Sequence, residues 1–209
     1  MSDLQNLLQK YRNASVTERE KGSYFEELIR TYFRYEATYA DLYSDVWLYA
    51  DWAKEQGLDG RDTGIDLVAK TNGTDEFHAI QCKFYAEDYR VKKSDIDSFF
   101  TASGQKPFTH RIIVSTTSHW TENAELALVG QQPPVTKIDL KDLENSQIDW
   151  SKYQPSKPPV LKKKKTLRKH QISAHKSVLT GLKSADRGKL IMACGTGKTF
   201  TSLKIAEDI

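Results

Sequence analysis

The stretch GIDLVAKTNGTDEFHAIQCKF, residues 64–84, decides the architecture of the chain. Residues 65–70 and 77–84 are short apolar segments, rich in the residue types that favour strands. The sequence between them, TNGTDE, contains Asn72-Gly73, which is a strong signal for a hairpin turn. The stretch therefore predicts two neighbouring antiparallel strands.

Helical and strand-like segments flank this hairpin on both sides. Upstream, residues 3–12 and 17–33 predict helices, and the aromatic stretch 38–57 predicts a loop and a helix that pack Trp47 and Trp52 inward. Downstream, the pattern predicts helices at 94–102 and 121–129 and strands at 110–117 and 134–140. This succession is typical of an α/β fold.

Composition narrows the class of protein. The 209 residues include only two cysteines, Cys82 and Cys194, which excludes a disulfide framework and a zinc cluster. The sequence has neither an apolar run of membrane-spanning length nor a signal-peptide pattern, so we expect a cytoplasmic protein without a membrane partner. Residues 157–209 hold 13 Lys and Arg against 3 Asp and Glu (+10), which leaves 18 against 25 (−7) in residues 1–156.

Polar side chains stand at alternate positions of the predicted hairpin. Gln81 and Lys83 share one face of their strand, and the hairpin brings that face beside Asp66. A hard divalent cation prefers oxygen ligands, which Asp66, the Gln81 amide and the Cys82 backbone carbonyl can supply. Lys83 can orient a metal-activated water or stabilise charge on a phosphate. A buried Asp–Lys ion pair without catalytic function explains the same spacing, and the residues alone leave both alternatives open.

Three segments, KGSYFEELI, GIDLVAK and AIQCKFY, together resemble the PD-(D/E)xK nuclease superfamily, in its Mrr-like branch with Gln in the acidic position. The resemblance spans residues 20–140 and implies a restriction-endonuclease-like mixed sheet flanked by helices. It implies Glu26, Asp66, Gln81 and Lys83 as catalytic residues, Mg²⁺ as cofactor and double-stranded DNA as substrate. The family's proline before the Asp is replaced by Ile65.

A second motif lies near the end of the chain. The sequence ACGTGKT follows the apolar segment KLIM, a predicted strand, and precedes a predicted helix from residue 198. This is a P-loop in which Met192 takes the usual first Gly or Ala position. Backbone amides and side chains of such a loop bind ATP phosphates and Mg²⁺, which assigns nucleotide contacts to Gly195, Thr196, Gly197, Lys198 and Thr199.

The segment LRKHQISA, in a helix predicted at residues 168–182, resembles the Q motif of superfamily 2 helicases and translocases, which implies that Gln171 reads the adenine edge. The segment would thus begin a P-loop RecA-like α/β domain. No acidic Mg²⁺-holding motif, second lobe or arginine finger follows, so we expect no ATP hydrolysis by these 209 residues alone.

A nuclease followed by such a motor resembles the N-terminus of single-polypeptide Type I (Type ISP) restriction–modification enzymes. We expect a nuclease domain at 1–154, a Pro- and Lys-rich linker at 155–166 and a partial motor domain at 167–209. The resemblance implies further motor, methyltransferase and target-recognition domains as partners, in an enzyme of restriction or phage defence. A helicase-associated repair or junction nuclease, and an inactive DNA-binding or docking module, remain alternatives.

The predicted strand at 110–117 ends in three hydroxyl side chains, Ser115, Thr116 and Thr117. Hydroxyl groups at a strand end commonly cap the next element. A contact with a DNA phosphate is the functional alternative, which the sequence leaves open.

Overall fold

The computed structural model describes residues 1–15, 17–61, 64–163 and 165–209. They form two compact units, Met1–Lys162 and Lys163–Ile209. Most of the stretch predicted as a linker belongs to the first unit. Leu161 forms an antiparallel bridge with Ile148, and the Lys162 ammonium donates to the Ser146 carbonyl at 2.9 Å. Lys164, also in that stretch, lies outside the described residues.

The first unit is built on a five-stranded mixed sheet, which confirms the predicted fold class. Its strands follow the order of the chain: β1 Tyr43–Leu48, β2 Leu67–Thr71, β3 Phe77–Lys83, β4 Phe108–Ser115 and β5 Val135–Ile138. The first three strands are antiparallel neighbours. The strands β4 and β5 then join in parallel.

The hairpin predicted from Asn72-Gly73 is present. Lys70 of β2 pairs with Phe77 of β3, and the Thr71 N–H donates to the Glu76 carbonyl at 2.9 Å. Gly73 has a φ of 82°, a left-handed conformation that side chains disfavour. The turn therefore fixes the register that places the polar positions of β3 next to the start of β2.

Two long helices cover one face of the sheet. They are α1, Asp3–Ala14, and α2, Glu18–Tyr35, and each begins with a capping box, from Ser2 and Thr17 respectively. The apolar face predicted for the second helix is fully buried and consists of Phe25, Leu28, Ile29, Tyr32 and Phe33. The same core receives the short α3 and α7, Ala37–Ala40 and Leu140–Glu144, and a 3-10 helix at Trp150–Lys152.

The other face carries short helices, so the unit has three layers. These are α4 Tyr49–Glu55, α5 Asp97–Ser103 after a 3-10 turn at Lys93–Asp95, and α6 Glu122–Leu128. Trp52 on α4 is buried in the core of this face, as predicted, whereas Trp47 is only partly buried.

The structure has the strand β1 where the aromatic stretch predicts a loop before the helix. Its register with β2 shifts between Tyr43 and Asp45, so an extra residue interrupts the pairing. Tyr43 and Val46 are consequently both buried although they are three positions apart. Such a bulge removes the alternation by which a half-buried strand is recognised.

A buried arginine near the start of β4 joins α5 to the loop before β5. Arg111 is 3% exposed, and its guanidinium donates to the Ser103 hydroxyl, the Gln131 side chain and the carbonyls of Phe100 and Pro133, at 3.0–3.1 Å. All these acceptors are neutral. The burial lowers the pKa of Arg111 from its ordinary value.

In its described residues, 163 and 165–209, the second unit contains two helices, α8 at Lys169–Gly181 and α9 at Lys198–Glu207. The strand predicted at residues 189–193 is wrong: the segment forms no ladder with the part of the chain that the structure describes. Ile191 within it is 87% exposed. A strand forms only against a partner strand, which these residues do not have. None of the helices in the described ranges is both long and apolar enough to cross a bilayer.

Candidate active site

Asp66 stands directly before β2, with its backbone fixed on both sides. Its N–H donates to the Ile80 carbonyl at 3.0 Å, and its carbonyl accepts from the Tyr49 N–H at 2.9 Å. The carboxylate oxygen Oδ2 accepts a hydrogen bond from the Cys82 N–H at 2.6 Å. A charge-assisted bond to a backbone donor holds a carboxylate tightly. The Asp66 side chain therefore faces the backbone of β3 between Gln81 and Lys83.

Gln81 is the unusual residue of β3, because it is an amide side chain that is only 3% exposed. Its Nε2 donates to the Gly64 carbonyl at 2.9 Å, which turns the amide toward the segment that precedes Asp66. Its Oε1 is shielded from solvent and has no hydrogen-bond partner within the described ranges. A buried acceptor without a donor costs free energy, and a bound cation would satisfy it.

Three charged residues of the predicted site influence the Cys82 thiol. Burial raises the pKa of the Cys82 thiol well above its ordinary value, and the negative charges of Asp66 and Glu26 raise it further. The positive charge of Lys83 acts in the opposite direction. All three charges thus lie close enough to Cys82 to influence it. Glu26 of α2, Asp66 and Lys83 thus all act on one thiol, and their assignment as a catalytic set stays a prediction.

An aromatic stack joins α2 to the end of β3. The rings of Phe25 and Phe84 are parallel within 22° and have centroids 5.4 Å apart. Phe25 precedes Glu26 and Phe84 follows Lys83 in the chain. The stack explains how a helix residue reaches the hairpin, since it fixes the two backbones on which Glu26 and Lys83 stand.

The donor set of this site consists of oxygen atoms, which suit a hard cation. In the described part of the chain, no three His, Cys, Asp or Glu side chains are placed to hold a metal ion. The candidate ligands are one carboxylate, one amide oxygen and one backbone carbonyl, from Asp66, Gln81 and Cys82. Oxygen ligands of this kind, completed by water, are those that Mg²⁺ uses. The unpartnered Gln81 Oε1 is the observation that fits such an ion.

The three hydroxyl residues at the end of β4 are buried, so they do not face a DNA phosphate at the surface. The Thr116 hydroxyl exchanges two hydrogen bonds with the backbone of Tyr85, accepting from N–H at 2.8 Å and donating to the carbonyl at 2.7 Å. The Thr117 hydroxyl lies 2.9 Å from the carbonyls of Glu87 and Tyr89. The sequence signalled a hydroxyl run but not these partners, which are about thirty positions away.

The P-loop segment of the second unit contains two glycines in a left-handed conformation directly before α9. Gly195 and Gly197 have φ values of 75° and 82°, in the left-handed region. The Lys198 ammonium donates to the carbonyls of Met192 and Ala193 at 3.1 and 3.2 Å. Thr196 Oγ1 donates to the Ala193 carbonyl at 2.6 Å. Thr199 is exposed in the first turn of α9.

Gln171 lies against this loop. It is 4% exposed, its Nε2 donates to the Thr196 carbonyl at 3.0 Å, and its Oε1 accepts from the Arg168 N–H at 2.8 Å. A Cβ on Gly197 would collide with the Gln171 amide. A cavity of about 410 Å³ beside the loop is lined by Gln171 together with Lys165, Thr166, Arg168, Gly195, Thr196, Gly197 and Phe200.

Comparison with known proteins agrees with both motifs. Residues 34–160 match the family model described as restriction endonuclease, a range that includes Asp66, Gln81 and Lys83 and begins after Glu26. Residues 164–209 match the model of the Type III restriction enzyme res subunit. No curated protein matches the chain in sequence.

Two solved structures resemble the chain. One, an ATP-dependent Type ISP restriction-modification enzyme, LlaBIII, bound to DNA, is 39% identical with a TM-score of 0.76, and the match covers 96% of this chain and 13% of that one. The other, the MspJI restriction endonuclease in complex with a 27-mer oligonucleotide, is 15% identical with a TM-score of 0.39, covers 68% and 29%, and is too dissimilar to support a conclusion. The chain thus spans about an eighth of the LlaBIII polypeptide. It belongs to the restriction endonuclease family, as a Type ISP-like nuclease domain joined to the start of a helicase domain.

Proposed function

We propose that the first unit hydrolyses phosphodiester bonds of double-stranded DNA in a Mg²⁺-dependent reaction. The observation that carries the proposal is the buried Gln81 Oε1, which has no hydrogen-bond partner in the described ranges and stands next to the fixed carboxylate of Asp66. A buried oxygen without a hydrogen-bond donor is uncommon in a stable fold, and a cation at this position would supply the missing partner.

The ligands of the proposed Mg²⁺ are the Asp66 carboxylate, the Gln81 amide oxygen and the Cys82 carbonyl. When bound, the ion supplies a Lewis acid and lowers the pKa of a coordinated water. Asp66 and Gln81 keep their positions without the ion, because backbone partners at Cys82 and Gly64 hold them. The site is thus preorganised by the protein.

Lys83 and Glu26 act on the substrate side of the site. The Lys83 ammonium stabilises the charge that develops on the phosphate in the transition state, or holds the attacking water. Glu26 adds a second carboxylate from α2, close enough to influence the same thiol as Asp66 and Lys83. We assign Glu26 to proton transfer or to water in the ion's outer shell.

In the complete protein we propose that the nuclease is coupled to an ATP-driven DNA translocase. The P-loop residues Gly195 to Thr199 and Gln171 would bind ATP, with the rest of the motor, a methyltransferase and a target-recognition domain further along the chain. The acidic first 156 residues, at −7, neutralise few phosphates themselves, so the basic stretch 157–209, at +10, is better suited to DNA attraction. Cytoplasmic localisation follows as part of this proposal.

The decisive experiment removes Lys83. We expect Lys83→Ala to lower plasmid nicking in Mg²⁺ by about 10²- to 10³-fold, as for loss of a preorganised donor, with an unchanged melting temperature. Lys70→Ala is the matched control, because Lys70 stands on the neighbouring strand in an ion pair with Asp75 at 2.8 Å and should tolerate replacement. Nicking by the wild-type chain should disappear in EDTA.

A structural role for Lys83 gives a different result. If the ammonium only compensated Asp66, its loss would leave a half-buried carboxylate without its counter-charge, and melting would fall together with activity. Normal cutting by Lys83→Ala, or a loss explained by unfolding, would reject the catalytic role. An inactive wild-type chain that still binds DNA in Mg²⁺ would favour the docking module.

A further inference from the structure

The structure links the active-site strand to β4 through a buried threonine that the proposed reaction does not itself use. Thr116 is fully buried, and its N–H donates to the Lys83 carbonyl at 3.0 Å. Its hydroxyl closes two further bonds, from the Tyr85 N–H and to the Tyr85 carbonyl, at 2.8 and 2.7 Å. The Lys83 carbonyl lies 3.5 Å from the same hydroxyl, too far to compete for its one proton.

These bonds hold the backbone at the two ends of the segment Lys83–Tyr85. The sheet ladder ends at Lys83, paired with Ser115. In the described part of the chain the ladder of β3 does not continue beyond that point, so the Tyr85 N–H depends on the Thr116 hydroxyl for its partner. The position of the Lys83 side chain depends on the direction in which its own backbone leaves the sheet.

Two other contacts act on the same segment. The Arg12 guanidinium lies 4.9 Å above the Phe84 ring and donates to the Tyr85 carbonyl at 2.7 Å. Phe84 stacks on Phe25 from the opposite helix. The segment Lys83–Tyr85 is thereby fixed by side chains from α1, α2 and β4.

From this network we propose that Thr116 is a positioning residue, whose hydroxyl sets the placement of the Lys83 ammonium for catalysis. The inference rests on the proposed function and names a residue outside the proposed catalytic set. A displacement of about 1 Å in a catalytic group is enough to slow a reaction strongly. Losing the hydroxyl should therefore lower the rate of the chemical step and leave DNA and Mg²⁺ affinity unchanged.

Thr117 provides an internal control. It is the next residue, equally buried, and its hydroxyl likewise contacts two backbone carbonyls, those of Glu87 and Tyr89. It differs in having no bond to the segment Lys83–Tyr85. Thr116→Val and Thr117→Val thus remove similar hydrogen bonds from the same core, and only the first releases the Tyr85 backbone, two residues after Lys83.

The test compares single-turnover nicking rates of the full 209-residue chain at saturating DNA and Mg²⁺, below the melting temperature of each variant. We expect Thr116→Val to be slower by about tenfold and Thr117→Val to stay within about twofold of wild type. Thr116→Ser, which retains the hydroxyl, should restore the rate. KM for DNA and the Mg²⁺ midpoint should be the same for all.

Three results would overturn the inference: wild-type turnover by Thr116→Val, an equal loss in Thr117→Val, or a failure of serine to rescue. If Thr116→Val does not fold, Arg12→Met takes its place, since the half-exposed Arg12 donates the other bond to the Tyr85 carbonyl. It should also slow the saturated rate, and an unchanged rate there refutes the inference. A wild-type chain without Mg²⁺-dependent nicking would instead refute the proposed function.

Discussion

Replacing Gln81 by Glu tests whether the buried amide is a metal ligand, without any assay of DNA cleavage. Gln81→Glu keeps the shape of the side chain but puts a carboxylate oxygen where Nε2 now donates to the Gly64 carbonyl at 2.9 Å. It also adds a negative charge beside Asp66 in a place that is 3% exposed. The free protein should therefore be destabilised, and a bound cation should reverse the effect.

The magnitude follows from these contacts. Loss of the amide bond costs about 1 kcal/mol, and confinement of an unpaired carboxylate brings the total to about 3 kcal/mol at pH 8. The new carboxyl should have a raised pKa, because burial and the charge of Asp66 oppose its ionisation. A group whose folded pKa is raised costs less as pH falls toward its unfolded value, so the deficit should shrink near pH 5.

Magnesium should raise the free energy of unfolding of the variant more than that of the wild type. If the dissociation constant falls from about 1 mM to about 0.1 mM, about 10 mM Mg²⁺ adds about 1.4 kcal/mol to wild type and about 2.7 kcal/mol to the variant. Urea unfolding followed by tryptophan fluorescence, in Mg²⁺ and in EDTA, measures both numbers. Gln9→Glu, at a half-exposed position of α1 where the amide likewise donates one hydrogen bond, to Asn13 at 2.9 Å, is the control for added charge. Equal stabilisation of Gln81→Glu and wild type by Mg²⁺ would refute the assignment of Gln81 as a ligand.

Two further predictions concern titration and nucleotide binding. Burial lowers the pKa of His78 to about 4, with His110 adding to the effect. The ordinary pKa of histidine is 6.5, so the folded protein loses stability as pH falls from about 6.5 to about 4. Partial exposure limits this loss to about 2 kcal/mol. In His78→Gln the loss should be absent, which urea unfolding at a series of pH values measures. Gly197→Ala places a Cβ against the Gln171 amide and puts an alanine in a left-handed conformation. Binding of a fluorescent ATP analogue should therefore weaken at least about tenfold. Unchanged binding would exclude this loop as the nucleotide site.

The local features of the fold were predictable because their causes are local. The apolar stripe of α2 and the Asn72-Gly73 turn depend on residues a few positions apart, and both appear where the pattern placed them. The strand β1 was not predictable in this way, since a bulge breaks its alternation. The segment 189–193 is the reverse case. Its composition is typical of a strand, but it forms none because no partner strand lies beside it in the described part of the chain.

The same distinction between local and long-range causes applies to the candidate site. Strand parity and the hairpin were sufficient to bring Asp66 to the backbone of β3 between Gln81 and Lys83. The roles of these residues remain predictions. The alternation of side chains along a strand could not show that Thr116 and Tyr85, 31 positions apart, share two hydrogen bonds. Contacts of that separation depend on the packing of β4 against β3, which no local pattern encodes.

The buried guanidinium of Arg111 has a consequence for how the first unit opens. It bonds the end of α5, through Phe100 and Ser103, and the loop before β5, through Gln131 and Pro133. If either segment detached alone, a guanidinium that is 3% exposed in the closed state would lose half of its acceptors while the other segment still covered it. The two segments and the start of β4 should accordingly exchange their amide hydrogens as one cooperative unit, although they are far apart in the chain.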